Sequence, residues 1–288
     1  MTIFFSISIF ILGTLVGSFL NVVTLRYGTD RGVVRKRSSC PSCKKVLGPA
    51  ELVPILSFIL QKGRCRKCKA KISWQYPLVE FLTGLVFLLV FLKVILYQGN
   101  SLISRNFLDM GTIGELFFYW TIFSVLIAIS VYDFHHKIIP DEFVFTFIAL
   151  SFLVGFLEFL NSGFLAWLLA GPLIVAPFFL IWLFSGGRWM GFGDVKLALG
   201  IGWFLGIVGG IYAILWSFWI GGAVAIVLLL SKNFLSTLPS KGALFSELKG
   251  LTIKSEIPFG PFLVLGTMIY FFAEHDFLGL DMFFRLIF

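Results

Sequence analysis

Apolar runs near the length that crosses a bilayer recur along the whole chain. One helical span needs about 20 mostly apolar residues. Runs of this kind cover residues 3–25, 78–97, 113–132, 142–160, 164–184, 195–210, 211–230 and 258–274. Composition agrees, with 58% of residues hydrophobic and 13% charged, against about 45–50% and ~25% in soluble domains. Mean hydropathy is +0.97. The expected fold is all-α, a polytopic transmembrane helical bundle of about eight spans. The sixth and seventh runs have only Gly209 and Gly210 between them as punctuation, so seven spans stay open. The first run lacks a basic stretch ahead of it and exceeds a signal-peptide core in length, so it is expected to remain as a span.

Charge sets the expected orientation. Residues 26–76 carry 13 of the 23 Lys and Arg residues and only two acids, Asp30 and Glu51. Basic loops beside membrane spans are retained in the cytoplasm. The first span then runs inward and the second outward, and segment 98–112, with Arg105 as its lone basic residue, lies outside. With eight spans the segments at 132–137 and 185–196 and the Lys-containing loop 231–257 all face the cytoplasm, and both termini face out. A basic patch also suits nucleic acid, but orientation already accounts for the charge. Anionic lipid headgroups are the expected partner, and no nucleic acid is.

All four cysteines sit in that basic loop, as Cys40-Pro-Ser-Cys43 and Cys65-Arg-Lys-Cys68. Two C-x2-C pairs at this separation match a zinc ribbon or knuckle, each pair supplying two corners of a tetrahedron. Basic neighbours such as Lys44, Arg64 and Arg66 favour the thiolate. Two disulfides or four free thiols are the alternatives, and a cytoplasmic location disfavours disulfides. Four protein ligands leave no open position, so such a zinc is structural. A loop of this size without another core needs that kind of staple.

Ionisable residues near spans are costly and are functional suspects. Asp133 stands at the inner end of the third span in Val131-Tyr-Asp-Phe-His-His-Lys137, and Asp194 lies in Gly191-Phe-Gly-Asp-Val-Lys196. The expected topology puts both at one face. Two carboxylates that approach closely cannot both ionise easily and share a proton. The charged member can activate water against a peptide carbonyl while the neutral member protonates the oxygen or the leaving amine. Glycines before Asp194 would let a substrate backbone approach. Taken singly, each acid has a plainer reading. Asp133 could pair with His135, His136 or Lys137, and Asp194 with Lys196 or as a helix cap. Asp141, after Pro140, reads as the N-cap of the fourth span. His135 and His136 read as solvated.

With these residues in hand, the sequence resembles the type IV prepilin peptidases, the bifunctional leader peptidase/N-methyltransferases of bacterial pilus and type II secretion systems. The resemblance rests on Gly17-Ser-Phe-Leu-Asn21, Cys40-Pro-x-Cys43, Glu51-x-x-Pro54-x-x-Ser57, Gly63-Arg-Cys65-x-x-Cys68, Tyr76-Pro-Leu-Val-Glu80, Asp133-x6-Pro140-Asp141 and Gly191-x-Gly-Asp194. It runs in order from about residue 13 to 200 and is weak afterwards. Arg26-Tyr-Gly replaces the Arg-Leu-Pro often seen in the family.

The resemblance implies a prepilin or pseudopilin substrate with a basic leader ending in Gly, cut on the cytoplasmic side. It further implies methylation of the new amino terminus from S-adenosylmethionine. Asp133 and Asp194 become the catalytic pair, Cys40, Cys43, Cys65 and Cys68 the zinc ligands, and Glu80 a candidate contact for the methyl donor. An ordinary interfacial acid is the plainer reading of Glu80. The expected organisation is a first span at 1–25, a cytoplasmic four-Cys zinc loop associated with methyl transfer at 26–77, and a membrane bundle with the peptidase site at 78–288. The expected location is the bacterial inner membrane; oligomeric state is not legible. A peptidase without methyl transfer, and a non-enzymatic transporter or secretion scaffold, are the competing readings. A transporter would place its acids near mid-membrane and often shows a repeat, whereas these lie at span ends.

Overall fold

The computed structural model describes residues 2–29, 37–97, 110–236 and 258–273. Residues 98–109 of the expected outer segment 98–112, and residues 237–257 of the expected Lys-containing loop 231–257, lie outside the described residues. Among the described residues, eight α-helices run in the order α1 (Thr2–Arg26), α2 (Leu56–Leu60), α3 (Gln75–Tyr97), α4 (Met110–His136), α5 (Asp141–Ser162), α6 (Phe164–Ser185), α7 (Phe192–Ser236) and α8 (Gly260–Ala273), with a 3-10 turn at Pro49–Glu51. Among the described residues there is no β-strand, only two isolated bridges. The helical reading of every apolar run holds.

Among the described residues, five helices are long and apolar enough to cross a membrane: α1, α3, α4, α6 and α7. The apolar part of α7 covers 39 residues, about 58 Å at 1.5 Å per residue, twice the ~30 Å of a hydrocarbon core. It is broken at Gly206, whose φ of 71° and ψ of −177° no helix contains. The sixth and seventh runs are thus divided there and not at Gly209 and Gly210. Those two glycines are helical, and they serve packing. A Cβ on Gly210 would come within 2.7 Å of Ile174, and one on Gly209 would press on the Tyr270 ring.

The chain forms two compact units, Met1–Tyr132 and Asp133–Phe288. In the first, α1 and α3 pack with their backbones nearly touching. A Cβ on Gly13 would lie 2.8 Å from the Gly84 Cα, and one on Gly17 2.8 Å from the Glu80 Cα. Lipid gives helices no hydrophobic reason to associate, so small residues that permit close van der Waals contact supply it. Asn21 Nδ2 donates to the Tyr76 carbonyl across this seam at 3.2 Å. The Trp120 indole N–H of α4 donates to the Phe87 carbonyl at 3.0 Å, its ring stacked on that of Phe87. In the second unit α7 is the central element, packed by α5, α6 and α8. Its buried side chains include Leu197, Ala198, Ile201 and Tyr212.

Candidate active site and metal centre

The loop between α1 and α3 folds as two matching knuckles. Cys40 N–H donates to the Lys45 carbonyl and Lys44 N–H to the Cys40 carbonyl; Cys65 N–H donates to Ala70 and Lys69 N–H to Cys65 in the same way. Lys44 and Lys69 both take positive φ, 57° and 60°, to close these turns. Isolated bridges flank each knuckle, Ser39 with Val46 and Arg64 with Lys71.

The turns gather the four Sγ atoms to within 4.8 Å of one another. Cys40 and Cys68 are 3.8 Å apart, Cys43 and Cys65 4.0 Å. A tetrahedral four-thiolate zinc with bonds near 2.3 Å has sulfur–sulfur edges of about 3.8 Å, so the donor set fits that metal, and none of the four is in a disulfide. The leading cause of thiolate character is the backbone. The N–H groups of Cys43 and Ser42 hold Cys40 down at about 6, and those of Cys68 and Lys67 lower Cys65. At Cys68 the Ala70 N–H lowers the value, but burial and the neighbouring thiols outweigh it and push it up to about 11.

Glu80 is buried on the second turn of α3. Its Oε2 accepts the Ile55 N–H at 2.7 Å, and the Ser18 hydroxyl also bonds it. Ile55 has φ 58° and ψ −53°, a strained conformation for a β-branched residue. Glu80 therefore ties a strained turn of the loop to the membrane helix, a role the sequence did not suggest.

Asp133 and Asp194 both fall in the second unit. Asp133 is buried three residues before the end of α4, and Asp194 is in the first turn of α7. They lie near enough for the Asp133 charge to act on Asp194. Asp133 Oδ2 accepts the Gly260 N–H at 3.1 Å. Gly260 is the first residue of α8, where backbone donors have no partner inside the helix and suit an anion. A Cβ on Gly260 would lie 2.6 Å from Asp133 Oδ2. This glycine was missed in the sequence; the Pro258-Phe-Gly-Pro261 stretch opening α8 was its only local signal.

Two further contacts frame the acids. A Cβ on Gly193 would meet Ile139 at 2.9 Å, and Ile139 also lies against Gly260. Gly193 thus admits the buried Ile139, while Gly191 stays exposed and open. Lys196 pairs with Asp141, not Asp194, and its Nζ sits 5.2 Å over both Phe145 and Phe192. Asp141 is the first residue of α5, so its ion pair fastens the start of α5 to that of α7. His135 and His136 are exposed in the last turn of α4.

Residues 11–94 match the bacterial peptidase A24 N-terminal domain, and residues 120–226 match the type IV leader peptidase family. The first range contains the cysteines and Glu80, the second both acids. The chain is 36% identical over 202 residues to a prepilin leader peptidase/N-methyltransferase of Bacillus subtilis, covering 69% of this chain and 73% of that one. It is 30% identical to the protein of that name from Aeromonas hydrophila, over 93% of this chain and 90% of the relative. The Neisseria gonorrhoeae protein of that name is 31% identical, over 77% and 82%. No solved structure matches significantly.

Proposed function

Since the chain belongs to the type IV leader peptidase family, we propose that it cleaves the basic leader of prepilins or pseudopilins at the cytoplasmic membrane face and N-methylates the new amino terminus. The observation that carries the peptidase half is that Ile139 packs against both Gly193, next to Asp194, and Gly260, whose N–H holds Asp133, so the two acids, distant in sequence, share one cluster of contacts at helix ends. One carboxylate takes a proton from water as its oxygen attacks the scissile carbonyl. The other, protonated, hands its proton to the departing amine as the C–N bond breaks, and the pair is then restored. The apolar segment of the substrate lies in the bilayer and presents its cleavage site at the interface, which supplies proximity.

Methyl transfer is assigned to the four-cysteine loop and the mouth of α3. S-adenosylmethionine would supply the methyl group. The α-amino pKa of about 7.7–8.0 leaves part of the new terminus neutral at cytoplasmic pH, so positioning outweighs a strong base. The Glu80–Ile55 bond supports a loop held firmly at that mouth. The same bond favours the second reading, a peptidase whose loop is structural only.

The deciding experiment incubates the purified, detergent-solubilised protein with a synthetic prepilin, with and without S-adenosylmethionine, and weighs the products. Cleavage after the leader glycine, with a further methyl mass only when the donor is present, is expected. Cleavage without that mass supports the second reading, and no cleavage overturns both.

A further inference from the structure

Among the described residues, the four-cysteine loop carries an apolar ridge that stays exposed. On α2, Leu56, Ile59 and Leu60 project from one side at spacings of three and four residues, and Leu52 and Val53 extend the ridge ahead of it. Ile59 is 62% exposed, Leu60 64%, and Trp74, just before α3, 76%. The opposite side of α2 is used internally. Phe58 is half-buried, its ring 4.8 Å from that of Trp74 and beneath Gly63, where a Cβ would lie 3.1 Å away. Water is a poor neighbour for so many large apolar side chains in one place.

One hydrogen bond fixes where the ridge begins along α3. Ile55, next to Leu56, donates to Glu80, which is five residues into the membrane helix α3. At 1.5 Å per residue that is about 7–8 Å along the span. The start of the ridge is therefore held alongside the first turns of α3. Amphipathic segments at an interface seat their apolar side about 5–10 Å into the headgroup and acyl boundary. The loop is anchored to membrane helices at both ends, α1 and α3. Trp74 has the amphipathic ring that favours such a boundary. Basic side chains complete the pattern: Lys62 follows the ridge almost at once, and Arg64, Arg66 and Lys71 are exposed beyond it.

We propose that Leu52, Val53, Leu56, Ile59 and Leu60 form a lipid-seated ridge, inserted in the leaflet beside α3 and held there by anionic headgroups around the basic side chains. The loop is then a membrane-surface module, and not a domain standing free in water. This holds whichever reaction the loop supports.

The test uses the full chain reconstituted in vesicles of phosphatidylcholine, with or without phosphatidylglycerol. A keto-bearing amino acid replaces Ile59, or in a second protein Arg66, and carries a nitroxide; both sites are exposed, so neither label disturbs packing. Collisions with oxygen and with a water-soluble nickel chelate report depth. The expected result is loss of nickel collisions and gain of oxygen collisions at position 59, deepest with phosphatidylglycerol, while position 66 stays open to nickel. Equal nickel access at the two positions would overturn the proposal. Shielding of position 59 only after a prepilin peptide is added would overturn it in favour of a peptide-docking surface. Equal depth in both lipids would overturn the role of anionic headgroups.

Discussion

The backbone N–H of Gly260 donates to Oδ2 of Asp133 at 3.1 Å, joining residues that stand 127 apart in the chain. The bond depends on the missing side chain, because a Cβ at Gly260 would lie 2.6 Å from that oxygen. Gly260→Ala is therefore expected to push Asp133 away from its position while α8 persists. A displacement of about 1 Å costs on the order of 10²-fold in rate. Cleavage kinetics on a synthetic prepilin measure this, and wild-type kcat/KM in the variant would show that the contact does not support catalysis.

Asp133→Asn and Asp194→Asn are each expected to remove nearly all cleavage, since members of one catalytic unit do not act additively. Membrane insertion should be unchanged. Asp141→Asn is expected to lose much less, because Asp141 is engaged with Lys196 at the start of α5. An inactive Asp141→Asn beside an active Asp133→Asn would reverse this assignment.

The thiol geometry predicts about one zinc per chain. Replacing Cys40 and Cys43 together with Ser should release it, as two of four corners are lost. Metal analysis of the purified variant is the check. Full retention would mean that the ligands are elsewhere.

Glu80 separates two roles by two substitutions. Gln keeps an oxygen that can accept the Ile55 N–H and removes the charge; Ala removes both. If the charge contacts the methyl donor or the substrate amine, Glu80→Gln and Glu80→Ala should lower methylation alike and spare cleavage. If the carboxylate only holds the turn at Ile55, Glu80→Gln should stay near wild type and Glu80→Ala should fall. Labelled S-adenosylmethionine and a pre-cleaved peptide read methylation separately from the peptidase step. On that peptide Asp133→Asn should remain active; its failure while folded would place both reactions at one site.

Reporter fusions at residues 60, 136 and 190 are all expected to give a cytoplasmic signal, since the basic residues cluster with them. A periplasmic signal at any one would break the common-face argument.

Some of this protein was legible in the order of its residues because the cause is local. Apolar run length specifies a membrane helix wherever the run occurs, since lipid leaves the backbone only its own hydrogen bonds. The two Cys-x2-Cys turns close within a few residues, so their spacing already implied a metal centre. Asp133 and Asp194 stood out as candidates for the same kind of reason, because charge at a span end is costly anywhere. What the sequence could not supply were choices among long-range partners. It offered Lys196 to Asp194, its near neighbour, yet folding gives it to Asp141, 55 residues away. It marked Gly209 and Gly210 as a break, but only packing against Tyr270 and Ile174 reveals them as contacts, and only the backbone angles of Gly206 reveal the break. Nothing local names the partner in the Gly260 bond to Asp133 or the Ile55 bond to Glu80. These bonds exist because helix packing brings a backbone donor to a buried carboxylate, and a buried polar group must find a partner.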